Sequence, residues 1–381
     1  MSDSVPKESA PWHDLAARFS ARVRLVQFIS DLSYGDAASS DCMESHRLLQ
    51  RWGFEAALYA ERLDSYHRQV GQHFSCYRPQ HRDFLLFHYS AWSEAAQFLL
   101  ELGKPLLLVY HNITPPEFFR GTEPVLWELT QKGRDALPNF AHLAVLALAK
   151  SEYSRTELEE AGFGKTGVMP VLVDFQRLDG EANPQVLQTY NDGCANLLFV
   201  GRLVPNKRQE DVIKVFYYYH RHCNPESRLF LVGAHMAVGP YLPWLKGLVE
   251  RLDLGERVHF TGQASYQDLV SFYRLADVFL CMSEHEGFCV PIVESMYLGI
   301  PVVAYAAAAV PSTMGDAGIL VKKKDYRAIA EVVHQVASNQ QLRGRLVARG
   351  RERARAFARE TVETQFAAYL AQALTSWEKP D

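Results

Sequence analysis

Six cysteines in 381 residues, at positions 42, 76, 194, 223, 281 and 289, include no Cys-x-x-Cys pair. That pattern argues against a disulfide scaffold or a zinc ribbon and suits free thiols in a reduced compartment. No run approaches the roughly eighteen apolar residues of a membrane-spanning helix. Met1 to Pro11 is polar and lacks the apolar core of a signal peptide, so a cytoplasmic location is expected. An excess of one charge is also missing. Forty Lys and Arg stand against 44 Asp and Glu, giving a net charge of −4, and neither half is basic. Nucleic acid is therefore not an expected partner. There is no internal repeat and no low-complexity tract.

What is present is the composition of an ordinary globule, 48% apolar and 22% charged. A chain of this length exceeds one hydrophobic core, so two domains are expected. Apolar runs of strand length recur at Arg24–Ser30, Phe54–Ala60, Phe84–His88, Pro105–His111, Leu143–Ser151 and Gly167–Val173. A second set follows at Asn196–Gly201, Arg228–Gly233, Arg257–Gly262, Asp277–Ser283, Ile300–Tyr305 and Gly318–Val321. Most are near-continuous rather than alternating, as in parallel strands covered on both faces. Helical patterns lie between them, for example Glu44–Gly53, Ser154–Gly162, Gln209–His222 and Tyr266–Leu275. Alternating strands and helices imply parallel crossovers. Asp174 to Asn196 is polar and turn-rich and reads as an interdomain linker. Glu360 to Trp377 reads as a terminal amphipathic helix.

The most informative stretch runs from Ser283 to Glu294, Ser-Glu-His-Glu-Gly-Phe-Cys-Val-Pro-Ile-Val-Glu, after an apolar strand and ahead of a helix that includes Ser295–Leu298. Glu286 and Glu294 are eight positions apart. In an open α/β sheet, ligands bind beyond the carboxyl ends of the strands, where both acids fall. Gly287 allows close approach of backbone to a ligand. The amides of Phe288, Cys289 and Val290 open a helix N-terminus, which favours anions. A second cluster, Gly201-Arg202-Leu203-Val204-Pro205-Asn206-Lys207-Arg208, follows another apolar strand. Arg202 offers a planar fork and Lys207 a mobile point charge, a pair suited to a diphosphate.

The Ser283–Glu294 stretch resembles the Glu-x7-Glu signature of retaining glycosyltransferases of family 4. The likeness spans roughly residues 24 to 360 and is strongest after residue 196. It implies an α/β fold of two Rossmann-like domains facing each other across a cleft, the GT-B arrangement. Residues 1–178 would bind the acceptor and residues 195–358 the nucleotide sugar, with 359–381 a helix crossing back to the first domain. By the same resemblance, Arg202 and Lys207 hold the donor diphosphate. Glu286, with the Phe288–Val290 amides, grips the sugar, Glu294 accepts from the ribose hydroxyls, and Gly201 and Gly262 line the donor. His111, which ends a strand, would sit near the sugar hydroxyls and join Arg202, Lys207 and Glu286 in catalysis. The expected donor is a nucleotide diphosphate sugar, a UDP-sugar ahead of a GDP-sugar. The expected acceptor is a glycan or lipid-linked species, in bacterial surface polysaccharide synthesis. No cofactor and no metal are expected, since Asp-x-Asp, the usual anchor for a metal-bound diphosphate, does not occur. A non-catalytic sugar-nucleotide-binding subunit, or a phosphorylase or epimerase of the same fold, is the alternative.

The first half departs from the family pattern after its first strand, where Gly35-Asp36 stands in place of a glycine pair. Gly35 remains a donor-side candidate. Asp36 either binds the acceptor hydroxyl or caps the next helix. His88 is read as a structural or acceptor-side histidine. Cys281, His285 and Cys289 read as packed thiols and a neighbouring His rather than as zinc ligands. The run Arg343, Arg345, Arg349, Arg351, Arg353 and Arg355 reads mostly as a solvated helix face. Trp12, Leu15, Phe19 and Val23 form an apolar stripe that either docks on its own domain or makes a peripheral membrane contact.

Overall fold

The computed structural model describes residues 11–235 and 239–378. Residues 1–10, most of the segment read as lacking a leader, lie outside that range. Among the described residues, no helix is long and apolar enough to cross a membrane. The chain divides into two units. The first comprises Met1–Ile113, Lys132–Leu172 and Arg359–Asp381, and the second Thr114–Gln131 and Val173–Ala358.

Each unit is built on a parallel sheet. In the first, β1 (Arg24–Leu32), β2 (Glu55–Leu63), β3 (Gln72–His73), β4 (Asp83–Tyr89), β5 (Leu106–Tyr110), β6 (Ala144–Ala149) and β7 (Thr166–Val168) assemble in the order 3-2-1-4-5-6-7. In the second, β8 (Ala195–Val200), β9 (Ser227–Val232), β10 (Val258–Gly262), β11 (Val278–Cys281), β12 (Val302–Tyr305) and β13 (Ile319–Val321) take the order 10-9-8-11-12-13. Both are therefore Rossmann-like, and strand order reverses beside β1 in one sheet and beside β8 in the other. Every residue of β4, β5, β9 and β11 is buried. Helices cover both faces, which is why these strands carry no polar alternation.

Local chemistry sets the helix starts. Asp36 accepts from the Ser39 amide at 2.9 Å and opens the helix Ala37–Arg51. Ser265 does the same for Tyr266–Leu275, at 3.1 Å from the Asp268 amide. Such caps contribute about 1 kcal/mol each. Gln209–His222 has no side-chain cap, but Glu210 and Asp211 lie in its first turn and His220, Arg221 and His222 in its last, matching the helix dipole.

The structure decides three of these readings. Residues 174–196 do not form an irregular linker. They carry the helices Phe175–Leu178 and Pro184–Tyr190 and pack within the second unit, where Asn183 Nδ2 donates to Asp268 Oδ1 at 2.7 Å. Of the two readings of the Trp12 stripe, docking on its own domain is the one seen. Leu15, Phe19 and Val23 are buried in one core with Val362, Phe366, Leu370 and Leu374 of the terminal helix Arg359–Glu378, and Trp12 stacks on Trp52. That helix belongs to the first unit. The arginine run is solvated only in part. Arg353 donates to the carbonyls of Ser312 and Thr313 at 2.6 and 3.0 Å, closing the helix Val310–Met314, and Arg343 donates to Asp277 O at 2.8 Å.

Glycine closes the carboxyl ends of three adjacent strands, Gly201 after β8, Gly233 after β9 and Gly262 ending β10. Gly201 and Gly233 have φ of +151° and +153°, and a Cβ on Gly233 would lie 2.1 Å from Gly201 O. The two strand ends thus pack backbone on backbone. Gly233→Ala should destabilise the protein by at least about 1–3 kcal/mol, the usual cost of such strain. The check is the urea unfolding midpoint, and an unchanged midpoint would contradict this packing.

Candidate functional site

In the second unit the loops after β8 and β11 meet at the point of strand-order reversal, where open α/β sheets bind ligands. The backbone ties them together. The Glu284 amide donates to Asn206 O at 2.9 Å, and Asn206 Nδ2 donates to His285 O at 3.0 Å. The Lys207 stem passes over Gly201, where a Cβ would lie 3.2 Å from Lys207 Cδ. Its ammonium then reaches both oxygens of Glu286, at 2.8 and 2.9 Å. Ser283 Oγ donates to Glu286 Oε1 at 2.9 Å. The lysine expected on the diphosphate and the carboxylate expected on the sugar are therefore direct partners. Burial alone would lower the Lys207 pKa, but the facing carboxylate outweighs it and the net shift is upward. Arg202, on the same loop, is exposed, and its carbonyl accepts from Gln209 Nε2 at 2.8 Å.

The helix Val290–Leu298 begins at Cys289, whose φ is +73°. Phe288 is buried edge-on to Phe357, and its carbonyl accepts from Thr313 Oγ1 at 2.6 Å. Gly287 and Val290 are half-buried on either side of this turn. Glu294 accepts from Tyr273 OH at 2.5 Å, and burial raises its pKa above the usual carboxylate value. Gly262 has φ of +69° and its carbonyl accepts from the Gly233 amide. Donor atoms of Cys281, Glu286 and Cys289 lie within 4.8 Å of one another, without His285. The Lys207 ammonium is already in contact with that carboxylate, so the cluster reads as an ion pair lined by thiols.

In the first unit a polar network lies along the carboxyl ends of β4, β5 and β6. His88 Nδ1 is 3.0 Å from His111 Nε2, and His88 Nε2 is 3.0 Å from Gln27 Nε2. Lys150 Nζ is 2.6 Å from Asp41 Oδ2, and His111 Nε2 is 3.8 Å from the same oxygen. The Leu172 amide donates to Asp41 Oδ1 at 2.8 Å. Asp41, His88 and His111 offer ligand atoms within 4.8 Å of one another. Both ring nitrogens of His88 are engaged and Lys150 supplies the cation, so these atoms form a hydrogen-bonded network. His88 is 1% exposed, which leaves it no open edge for an acceptor. Asp36 is the helix cap described above. Gly35 has φ of +79° in the exposed turn before it. Gln27, Asp41 and Lys150 were not anticipated from sequence. One signal was available for Lys150, a lysine directly ending the apolar run Ala-Val-Leu-Ala-Leu-Ala.

Burial holds neutral the imidazoles of His88, His111 and His46, whose Nδ1 lies 3.0 Å from Gln27 Oε1. It lowers the His46 pKa to about 4 and the His88 pKa to about 3, and takes His111 well below its ordinary value. The unfolded chain therefore binds more protons below about pH 6.5, and stability falls as pH drops through that value. At pH 5.5 each of these histidines should remove on the order of 1 kcal/mol, a few kcal/mol for the three. Urea unfolding at pH 7.5 and 5.5 measures this. Equal stability at both would mean that the folded state carries these histidines charged.

Residues 188–353 match the family model described as glycosyl transferases group 1. The O-antigen chain mannosyltransferase B of Escherichia coli is 29% identical over 235 residues, covering 58% of this chain and 59% of that protein. The D-inositol 3-phosphate glycosyltransferase of Thermobifida fusca is 32% identical over 181 residues, covering 45% and 42%. The matched part is thus less than two thirds of the length of either relative. Among solved structures, HepE of Anabaena in complex with UDP and glucose superposes with a TM-score of 0.75 over 91% of this chain and 99% of that one, at 20% identity. That likeness concerns the fold. With the Glu286–Glu294 helix start and the Arg202–Lys207 loop both inside the matched segment, residues 188–353 form a domain of the glycosyl transferases group 1 family.

Proposed function

We propose that this protein is a retaining glycosyltransferase that moves a hexose-type sugar from a nucleotide diphosphate to a glycan or lipid-linked acceptor, in bacterial surface polysaccharide synthesis. The observation that carries this reading is the Lys207–Glu286 pair at the strand-order reversal of the second unit, beside the N-terminus of Val290–Leu298. A diphosphate arriving there would compete with Glu286 for the Lys207 ammonium, with Arg202 beside it on the same loop. Glu286, partly released, would accept from hydroxyls of the sugar. Glu294, already held by Tyr273, would accept from the ribose diol. His111 would hydrogen-bond a sugar hydroxyl.

In this scheme the anomeric carbon–phosphate oxygen bond breaks as the acceptor oxygen bonds to the same face of that carbon. The acceptor proton passes to a phosphate oxygen of the leaving group. Negative charge grows on the diphosphate during the step, so Lys207, Arg202 and the helix amides act more strongly on the transition state than on the ground state. The relatives' names point to mannose and inositol phosphate glycosides, and HepE was crystallised with UDP. UDP-sugars are therefore the first donors to try. A thermal-shift panel of UDP, GDP and ADP identifies the base, because a nucleotide at a hundred times its Kd stabilises by about 2.7 kcal/mol.

The roles separate kinetically. Glu294→Ala should mainly raise the donor KM, as a ribose contact is made in ground and transition states alike. Glu286→Gln should mainly lower kcat, by about 100-fold or more if it acts as a transition-state contact. Steady-state transfer assays decide, and equal effects on both constants for both variants would mean these roles are misassigned. Activity should survive chelation, since Arg202 and Lys207 supply the positive charge. Complete loss in chelator, restored by magnesium or manganese, would overturn that.

A further inference from the structure

The hydrogen bonds around Gln27 have a direction, and Ser45 sets it. Ser45 Oγ donates its single proton to Cys42 O at 2.8 Å. Toward Gln27, 2.8 Å away, Ser45 Oγ can then only accept, so Gln27 presents its amide nitrogen there. The same nitrogen lies 3.0 Å from His88 Nε2, and an amide nitrogen only donates. His88 Nε2 is therefore the acceptor, and the proton of its neutral ring is on Nδ1. His88 Nδ1 in turn donates to His111 Nε2 at 3.0 Å, which places the His111 proton on Nδ1. At the opposite end Gln27 Oε1 lies 3.0 Å from His46 Nδ1, which must then donate, so His46 also carries its proton on Nδ1. Asp41 Oδ2 is 3.8 Å from His111 Nε2, too far to draw a proton onto that nitrogen, and it is held by Lys150 at 2.6 Å. Gln27 and His88 are 0% and 1% exposed, so no water competes along the chain of bonds.

We propose that His88 is a positioning residue: through Gln27 and His88 the first unit fixes His111 in the Nδ1–H tautomer, so that His111 meets its ligand as a hydrogen-bond donor and not as an acceptor or base. The ligand class follows from the chemistry. An Nδ1–H recognises an oxygen that offers a lone pair, such as a sugar hydroxyl or ring oxygen. The catalytic consequence rests on the glycosyltransferase reading above; the tautomer does not. This role also accounts for a glutamine buried in mid-strand of β1, which the donor chemistry does not otherwise use.

The first test is the two-dimensional ¹⁵N–¹H spectrum of histidine-labelled protein at pH 7.5, which distinguishes the two neutral tautomers of each ring. His88 and His111 should both show Nδ1–H. A wild-type His111 protonated on Nε2 overturns the proposal, whatever the enzyme's activity. The second test is kinetic. His88→Phe removes the donor to His111 Nε2 and should lower kcat at least about tenfold, or about 1.4 kcal/mol, with the donor KM within about twofold. His88→Gln, which can still offer an N–H to His111, should recover most of that loss. Undiminished kcat in His88→Phe, or loss in His88→Gln as deep as in His88→Phe, would reduce His88 to a packing role. If no sugar donor is turned over by any variant, the glycosyltransferase reading falls while the spectrum still decides the relay.

Discussion

A lysine ammonium taken out of water needs a carboxylate at contact distance, and both units meet that demand at the carboxyl edge of the sheet. In the first, Lys150 after β6 reaches Asp41 on the helix Ala37–Arg51. In the second, Lys207 after β8 reaches Glu286 after β11. Such pairs add little net stability, because desolvation offsets most of the attraction. Removing one partner is another matter and costs about 3–5 kcal/mol, since the remaining charge is stranded. The pairs therefore act as registration constraints. Lys207 cannot be satisfied unless the β8 and β11 loops are brought together, which is the geometry a bound diphosphate would need.

The second constraint is reinforced from the side. Glu284 accepts from Arg208 Nε at 2.7 Å and from Lys324 at 2.6 Å, and Lys324 also contacts Asp211 at 2.6 Å. Tyr326 OH adds a bond to Asp211 at 2.7 Å. The loops after β8, β11 and β13 and the start of Gln209–His222 are thus cross-linked by charge. Arg208 takes φ of +50° at that helix start, an unusual conformation for a residue with a side chain. Its bonds to Glu284 and Glu210 hold it there. Opposite charges and matching loops leave the Lys207–Glu286 centre little freedom to drift, which is what a site that positions a reacting carbon requires.

Much of this was legible in sequence, for identifiable reasons. The strands were visible because burial on both faces leaves an unbroken apolar run, and Gln209–His222 and Tyr266–Leu275 were read to the residue. Glu286, Glu294, Arg202 and Lys207 stood out because each sits in a short segment whose chemistry is local. What escaped was tertiary pairing. Nothing near Lys207 in the chain names Glu286 as its partner, 79 positions away. Gln27 lies inside an apolar strand run and Asp41 ahead of the helical pattern read from Glu44, so neither residue drew notice. Only the strand register, with Ile29 beside His88, brings those segments together. Residues 174–196 were misread because Gly180, Pro184 and the Asn191–Gly193 turn outweighed two short helices, of which Pro184–Tyr190 is tied down through its cap residue Asn183 to Asp268 and Ser271. The Trp12 stripe was ambiguous by nature, since an apolar helix face looks the same whether a protein core or a lipid surface covers it.

The two lysine pairs differ in the one property that separates support from function. The side chains of Lys150 and Asp41 are 1% and 0% exposed, while those of Lys207 and Glu286 are 17% and 9% exposed. The inner pair cannot exchange partners with a ligand without unfolding its surroundings. Its charge is instead felt by the neighbouring histidines. The Lys150 ammonium opposes a proton on His111 and His88, adding to the effect of burial, while Asp41 works in the other direction. In the proposed reaction the outer pair is the one that exchanges: its ammonium, kept charged by the facing carboxylate, would be the one a phosphate oxygen reaches. Solvent access is thus what would let the Lys207–Glu286 pair, and not the Lys150–Asp41 pair, take up a ligand.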